Sequence, residues 1–433
     1  MIGQITEDVW SARGRRVVDR CDTLGMGPYS DMEGGLFRPY LGPAHHATIE
    51  RLTEWMTQAG LSVRLDGAGT LIGRYEGSVP NAPALVIGSH IDSVRDGGRY
   101  DGMLGVVLGI EAVAVLHAES LRLPYAIEVV GFGDEEGSRF PVSMLTSRAF
   151  AGTLGGQDLT LCDAAGVRLD DALAAFGLSS RSLPDAARSP ADLRAYLEVH
   201  IEQGPVLEAE RRSLGVVDAI AGQYRFQATV RGTAGHAGTM AMSLRRDALA
   251  AAAEMVLAIE TCGRAGPDDL VATVGRMEVR PGASNVVPGE VVFTLDIRAG
   301  NDVVRGRAAD AVCAALHQIA RRRDVSLDLV RQQDLPATPC DPSLTAAMAA
   351  AVARTTGAAA RHLVSGAGHD AMVLAAITPV SMLFVRCAGG ISHHPDEAVE
   401  AGDVTLALRT LVHVVQSLDT PDCATRTRSD HDD

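Results

Sequence analysis

Gly88-Ser-His90-Ile-Asp92-Ser-Val-Arg-Asp-Gly-Gly-Arg-Tyr-Asp101-Gly102 is the most informative stretch of the chain. Just ahead of it, the apolar run Ala84-Leu-Val-Ile87 reads as a buried strand that stops at Gly88. Just behind it, an apolar pattern of helical spacing runs from Leu104 to Leu116. Strand, histidine, glycine-rich loop, aspartate and helix in this order hold side chains rigidly at the carboxyl end of a sheet. Taken alone, the stretch fits a loop histidine with a helix N-cap aspartate as well as it fits a metal site.

Working outward, residues 43–60 carry Ile49, Leu52, Trp55 and Met56 at helical spacing. Strand-like runs at 84–89 and 126–132 flank a helix over 103–117, the alternation of an α/β sheet. Residues 195–203 place Leu197, Val199 and Ile201 on one face and Glu198, His200 and Glu202 on the other. That alternation predicts a half-buried strand with a histidine on its polar face. From 214 the pattern changes. Strands at 223–231, 270–279, 289–298 and 325–330, with helices at 243–260 and 308–322, follow the β-α-β-β-α-β order of a ferredoxin-like unit. Helices at 343–356, 366–376 and 403–418 and a strand at 380–386 then resume the first style. The expected fold is α/β, with a catalytic domain in two parts (1–213 and 332–433) and an inserted domain at 214–331. Residues 153–193 carry no clear chemistry, and the Arg-Asp-rich tail after Asp419 reads as frayed.

Composition narrows the function. At 433 residues, 46% apolar and 21% charged, the chain suits two globular domains. A net charge of −15 argues against nucleic acid and anionic membranes as partners. All 39 basic residues are arginine, so Schiff-base chemistry and a phosphate-loop lysine are excluded. The seven cysteines are odd in number, scattered and without a Cys-x-x-Cys pair, as expected of reduced thiols. The opening Met-Ile-Gly-Gln-Ile-Thr-Glu-Asp lacks the basic and apolar regions of a signal peptide. The most apolar stretch, 371–385, is interrupted by Pro379 and too short to cross a bilayer. A soluble, cytoplasmic protein is expected.

Metal-capable residues recur at ends of the expected strands or in adjoining loops: His90, Asp101, the Glu135-Glu136 pair, His200 and the His393-His394 pair. Any one of them reads most simply as a cap or a solvated charge. Their recurrence at strand ends points to a shared metal site.

Longer motifs accompany them: Asp134-Glu-Glu-Gly-Ser-Arg-Phe140, Glu198-Val-His-Ile-Glu-Gln-Gly-Pro205, Gly235-His-Ala-Gly238, Asn285-Val-Val-Pro-Gly289, Asp296-Ile-Arg298, Ser365-Gly-Ala-Gly-His-Asp370 and Gly390-Ile-Ser-His393. With the 88–102 stretch they are collinear from about residue 20 to 415. Together they resemble the amidohydrolase branch of the zinc aminoacylase–carboxypeptidase superfamily, which includes allantoate amidohydrolases, N-carbamoyl-L-amino-acid hydrolases and ureidoglycolate hydrolases. The resemblance implies a dinuclear-metal exopeptidase-like catalytic domain with an inserted ferredoxin-like lid and dimerisation domain. It implies two divalent ions (Zn or Mn, with Co or Ni also suited) bridged by Asp101, one completed by His90 and His200, the other by Glu136 and His393. Asp92 would orient His90 through its other ring nitrogen. Glu135 would be the general base that takes a proton from the attacking water and returns it to the leaving nitrogen. His394 reads as a spectator.

The resemblance further implies His236 as a catalytic donor to the developing oxyanion. Asn285 and Arg298 would handle substrate, Arg298 as a two-pronged clamp on a carboxylate. Asp296, two residues earlier on the same face, offers Arg298 an ordinary salt bridge instead. Gln203, Gly368 and His369 would complete the pocket. Two departures stand out: Thr239-Met-Ala-Met242 follows His236 where relatives carry Thr-Pro-Met, and Gly69-Thr70 replaces a common Gly-Asn. The implied activity is hydrolysis of a ureido or carbamoyl C–N bond beside a carboxylate, with allantoate first. N-carbamoyl-L-amino acids come second, and N-acyl amino acids or dipeptides third. A metal-binding module without catalysis would need neither Glu135 beside Glu136 nor His236 with Arg298. A small-molecule substrate and a homodimer through the inserted domain complete the expectation.

Overall fold

The computed structural model describes residues 5–418, which divide into two compact units. The first comprises the chain up to Asp218, Cys340–His362 and the chain from His369 onward; the second is Ala219–Pro339 with Leu363–Gly368. The tail after Asp419 lies outside the described residues.

The first unit is α/β. Its strands are Ser62–Leu65 (β1), Leu71–Tyr75 (β2), Ala84–His90 (β3), Ala126–Phe132 (β4), Leu193–Ile201 (β5), Leu214–Ile220 (β6, which belongs to this unit as far as Asp218) and Val380–Val385 (β7). They lie in the order β1-β2-β4-β3-β5-β7-β6. The four central strands β4, β3, β5 and β7 are mutually parallel, so their carboxyl ends emerge on one side. That side is where an open α/β sheet places its chemistry. The helix Met103–Ala118 is apolar all round, and nearly every side chain from Met103 to Leu116 is buried. Its one buried acid, Glu111, takes ion pairs from Arg13, Arg16 and Arg20 of the helix Glu7–Leu24. That N-terminal helix lies outside the elements expected from the sequence, although Trp10, Val17, Cys21 and Leu24 bury one face of it.

The alternation over 195–203 predicts a half-buried strand, but β5 is buried on both faces from Ala195 to Ile201. Its position explains this. Flanked by β3 and β7 in a covered parallel sheet, its polar face meets protein rather than water. There Glu198 accepts Ser89 Oγ–H at 2.8 Å and the Ala371 N–H at 3.1 Å.

The second unit has ferredoxin-like topology. The strands Gly222–Arg231, Met277–Arg280, Glu290–Ala299 and Ser326–Leu335 form an antiparallel sheet, with Val271–Thr273 also paired to Glu290–Ala299. Val291, Phe293, Leu295 and Ile297 point inward and pack with Met255, Ile259, Val312 and Leu316 of the helices Ala248–Arg264 and Asp302–Arg322. The first of these helices starts later than expected because the Asp247 carboxylate caps the N–H groups of Leu249 and Ala250. The strand expected at 270–279 breaks in two around Gly275, and the helix expected at 366–376 contracts to Asp370–Leu374.

Candidate metal centre

The carboxyl ends of β3, β4, β5 and β7 deliver the metal-capable side chains. His90 closes β3, Glu135 and Glu136 follow β4, His200 is the penultimate residue of β5, and His393 lies in the loop after β7. Asp101 stands at the mouth of the helix Met103–Ala118, one residue before Gly102 at φ +67°. A Cβ on Gly102 would lie 2.4 Å from the His90 ring, so only glycine lets the two approach. Asp134, Gln203 and His393 also hold positive φ without being glycine, a backbone cost of order 1–3 kcal/mol each that recurs at functional sites.

Asp101 is the hub. Its Oδ1 lies 3.1 Å from His200 Nε2 and 3.5 Å from His90 Nε2. Its Oδ2 lies 3.1 Å from His393 Nε2, which in turn lies 3.3 Å from Glu136 Oε1. Gln203 Nε2–H and Ser392 Oγ–H also donate to Oδ2, at 3.2 and 3.1 Å. Two sets of donor atoms therefore share Asp101: His90 with His200, and Glu136 with His393.

The donors fit a pair of cations. The Nδ1 atoms of His90 and His200 face the backbone carbonyls of Asp92 (3.2 Å) and Ile201 (2.9 Å), which can only accept. The proton of each neutral ring is therefore on Nδ1, and the bare Nε2 points at a carboxylate oxygen. The Gly102 N–H, 3.2 Å from His200 Nε2, agrees with that tautomer. Lone pair facing lone pair at this range is repulsive unless positive charge stands between them. Protons answer the same demand. Hydrogen bonds to Asp101 and Glu136 push His393 up to about 10. Burial opposes charging of His90, yet the bond to Asp101 and the charges of Glu135, Asp92 and Asp101 hold it well above the usual range. Mixed imidazole and carboxylate donors of this kind suit divalent cations.

Glu135 is buried, and its burial, with Asp370, Glu136 and Asp92 adding to it and His90 opposing, holds its carboxyl well above the usual range. Asp92 acts differently from expectation. Its carboxylate is 3.8 Å from His90 Nδ1, beyond hydrogen-bond reach, and the backbone carbonyl of the same residue is the acceptor. The carboxylate instead accepts the N–H groups of Glu135 (3.1 Å) and Glu136 (3.3 Å), pinning the turn that separates the two glutamates. His369 is buried edge-on against the His200 ring, centroids 4.6 Å apart, so it backs that imidazole. His394 is exposed and caps the N–H of Asp396.

In the second unit, Gly235–His236 pairs with Val286–Val287, and the Ala237 N–H donates to the Asn285 carbonyl, bringing His236 and Asn285 side by side. The Gly238 N–H donates to His236 Nδ1 at 3.1 Å, which leaves the ring proton on an exposed Nε2. Arg245 staples this loop by donating to the carbonyls of Ala237 and Met240. Arg298 lies on the open face of the sheet, where Nε and Nη2 pair with Asp296 at 2.9 and 3.2 Å and Nη1 donates to the Gly366 carbonyl at 2.6 Å. One N–H on each Nη remains for another acceptor. A pocket of about 710 Å³ opens beside it, lined by Arg225, Gln227, Thr273, Thr294, Asp296 and Arg298 among others. Gly368 is exposed in the same unit.

Known proteins match this arrangement over nearly the whole chain. A probable allantoate deiminase from Oryza sativa subsp. japonica is 42% identical over 422 residues, covering 90% of this chain and 86% of the relative. An N-carbamoyl-L-amino acid amidohydrolase from Geobacillus stearothermophilus is 40% identical, covering 94% and 98%. The crystal structure of a hydantoinase/carbamoylase family amidase from Burkholderia ambifaria superposes with a TM-score of 0.87 at 33% identity, covering 95% and 98%. The model of peptidase family M20/M25/M40 matches residues 86–417, a span that includes every donor around Asp101. With donors at the ends of four parallel strands and relatives aligned over most of their length, this chain belongs to peptidase family M20/M25/M40.

Proposed function

We propose that the chain is a metal-dependent amidohydrolase that cleaves a ureido or carbamoyl C–N bond of a small carboxylate-bearing substrate, with allantoate first. The observation that carries this reading is the Asp101 carboxylate, faced on both oxygens by imidazole nitrogens with a buried Glu135 beside them. Relatives named for allantoate and for N-carbamoyl-L-amino acids support the substrate class, and the second group is the alternative substrate. His90, Asp101 and His200 would hold one ion, and Asp101, Glu136 and His393 the other, zinc or manganese by donor type. When bound, the ions supply Lewis-acid polarisation of the scissile carbonyl and acidify the attacking water. Glu135 accepts the proton of that water and passes it to the leaving nitrogen; its raised carboxyl suits it to hold a proton between the two steps. His236 offers its Nε2–H to the developing oxyanion. Asn285 assists it, and the unpaired Nη hydrogens of Arg298 take the substrate carboxylate. Gln203 and His369 stand behind the metal donors, Gln203 through Asp101 and His369 through the ring of His200, and Gly368 is a further substrate-handling residue of this reading.

A homodimer through residues 214–331 and a cytoplasmic location belong to the same reading. Among the described residues the cysteines are free, and no helix is long and apolar enough to cross a membrane. The molecular mass in solution tests the dimer.

Ammonia release from allantoate and from a panel of N-carbamoyl-L-amino acids, with added manganese or zinc, tests the activity. Turnover of none of them would refute it. Arg298→Lys should raise KM for the best substrate more than it lowers kcat, since the charge stays but the planar fork is lost. Equal hydrolysis of that substrate and its carboxamide analogue by the wild type would remove the clamp.

A further inference from the structure

We infer that Glu397 is a positioning residue for the metal centre, tying the loop of Asp101 to the loop of His393 and setting the geometry on the Oδ2 side of Asp101. The inference rests on the metal reading above. Glu397 is 4% exposed, and both of its oxygens are engaged. Its Oε1 accepts the backbone N–H groups of Tyr100 (2.8 Å) and Asp101 (3.0 Å), holding the Asp101 main chain. Its Oε2 lies 3.1 Å from Ser392 Oγ, and the same hydroxyl lies 3.1 Å from Asp101 Oδ2. Gln203 closes the ring, donating one N–H to Ser392 Oγ at 3.1 Å and the other to Asp101 Oδ2 at 3.2 Å.

Glu397 thus holds Asp101 by its backbone, although 296 positions separate the two in sequence, and shares with Asp101 Oδ2 the Ser392 hydroxyl, whose single proton serves one of the two carboxylates at a time. The turn in which the Glu397 N–H donates to the His394 carbonyl (3.1 Å) folds Glu397 back over its own loop, the one that carries His393. The opposing loop is built to admit it: a Cβ on Gly98 would lie 2.0 Å from the Glu397 carboxyl carbon. Loss of that carboxylate frees both loops at once. The effect is asymmetric, because Ser392 and Gln203 reach only Oδ2, whereas Oδ1 faces His90 and His200 on strands of the sheet. The ion held by Glu136 and His393 depends on Glu397; the ion held by His90 and His200 depends on it far less.

Full-length protein loaded with zinc and titrated with a chromogenic chelator tests this. Glu397→Ala should release one of its two ions at least about tenfold more readily than wild type, the size usual for losing a support behind a ligand, and keep the other near wild-type affinity. Glu397→Gln should bind both ions nearly as wild type. Its amide oxygen still receives the two N–H groups, and its NH₂ faces Ser392, whose hydroxyl then donates to Asp101. A purely electrostatic role would instead make the Gln and Ala variants alike, and that result overturns the inference. So does a folded Glu397→Ala protein that holds both ions as tightly as wild type. Ser392→Ala, which removes the hydroxyl between Glu397, Gln203 and Oδ2 but leaves the backbone bonds of Glu397, carries the same expectation of one weakened ion if Glu397→Ala does not fold. A wild type that binds no second ion refutes the metal reading itself and this inference with it.

Discussion

Glu135→Gln will lower turnover by roughly 10²–10⁴ or more while leaving bound metal unchanged. The amide matches the carboxylate in shape and keeps the backbone N–H that Asp92 holds at 3.1 Å, so the turn carrying Glu136 stays in place. What it loses is the ability to take a proton. In the wild type that ability is tuned by surroundings: burial first, and then the neighbouring carboxylates, keep the Glu135 carboxyl well above its ordinary range. A base that binds its proton more tightly than a free glutamate is better matched to water at one step and to a leaving nitrogen at the next. Steady-state kinetics beside metal analysis check this. A variant with near-wild-type kcat removes Glu135 from the proton path, and a variant that has lost metal shows that the residue is a ligand.

Asp101→Ala will lose both ions and all measurable turnover together. Both oxygens of this buried carboxylate face imidazoles, Oδ1 toward His90 and His200 and Oδ2 toward His393. Without it, each remaining donor set lacks its shared anion, and a cation in the buried His90–His200 pair would stand without charge compensation. Metal content after dialysis is the direct measure, and two ions at full occupancy in the variant would contradict the assignment. The two variants separate cleanly: one removes a proton acceptor from an intact centre, the other removes the centre.

The donors around Asp101 are legible in the chain because each stands next to an apolar run. Ala84–Ile87 leads into His90, Ile127–Phe132 into Glu135, and Leu197–Ile201 surrounds His200. Apolar runs that end sharply mark strand ends, and in a parallel sheet these lie together. The second unit is legible for the same kind of reason, since alternation over 290–299 separates Val291, Phe293, Leu295 and Ile297 from Asp296 and Arg298. The partnership of Asp296 with Arg298 is open to sequence reading as well, because residues two apart on a strand share a face.

Less was legible where a side chain's partner depends on sheet order. The polar face of β5 looks solvent-exposed in sequence and is buried, because the helix Asp370–Leu374, far along the chain, packs on it and gives Glu198 the Ala371 N–H. Asp92 stands two residues from His90, but its carboxylate serves Glu135 and Glu136 because β3 and β4 are adjacent. His369 reads as a pocket residue and backs the His200 ring. Ser392 stands inside the Gly390–His393 motif with no role of its own legible there, and Glu397 belongs to none of the motifs.

The α/β class, the ferredoxin-like pattern of the second unit and the side chains available at the strand ends are all written in the chain. Hydrophobic period and chain punctuation are local properties, and those features follow from them. Which oxygen of Asp101 each imidazole meets, and the hold of Glu397 on the Asp101 backbone from the far end of the chain, follow from the tertiary structure alone. Asp101 meets His200, His393 and Glu397 across about one hundred to three hundred positions of chain. The order β4-β3-β5-β7 creates these contacts, and no local period encodes that order.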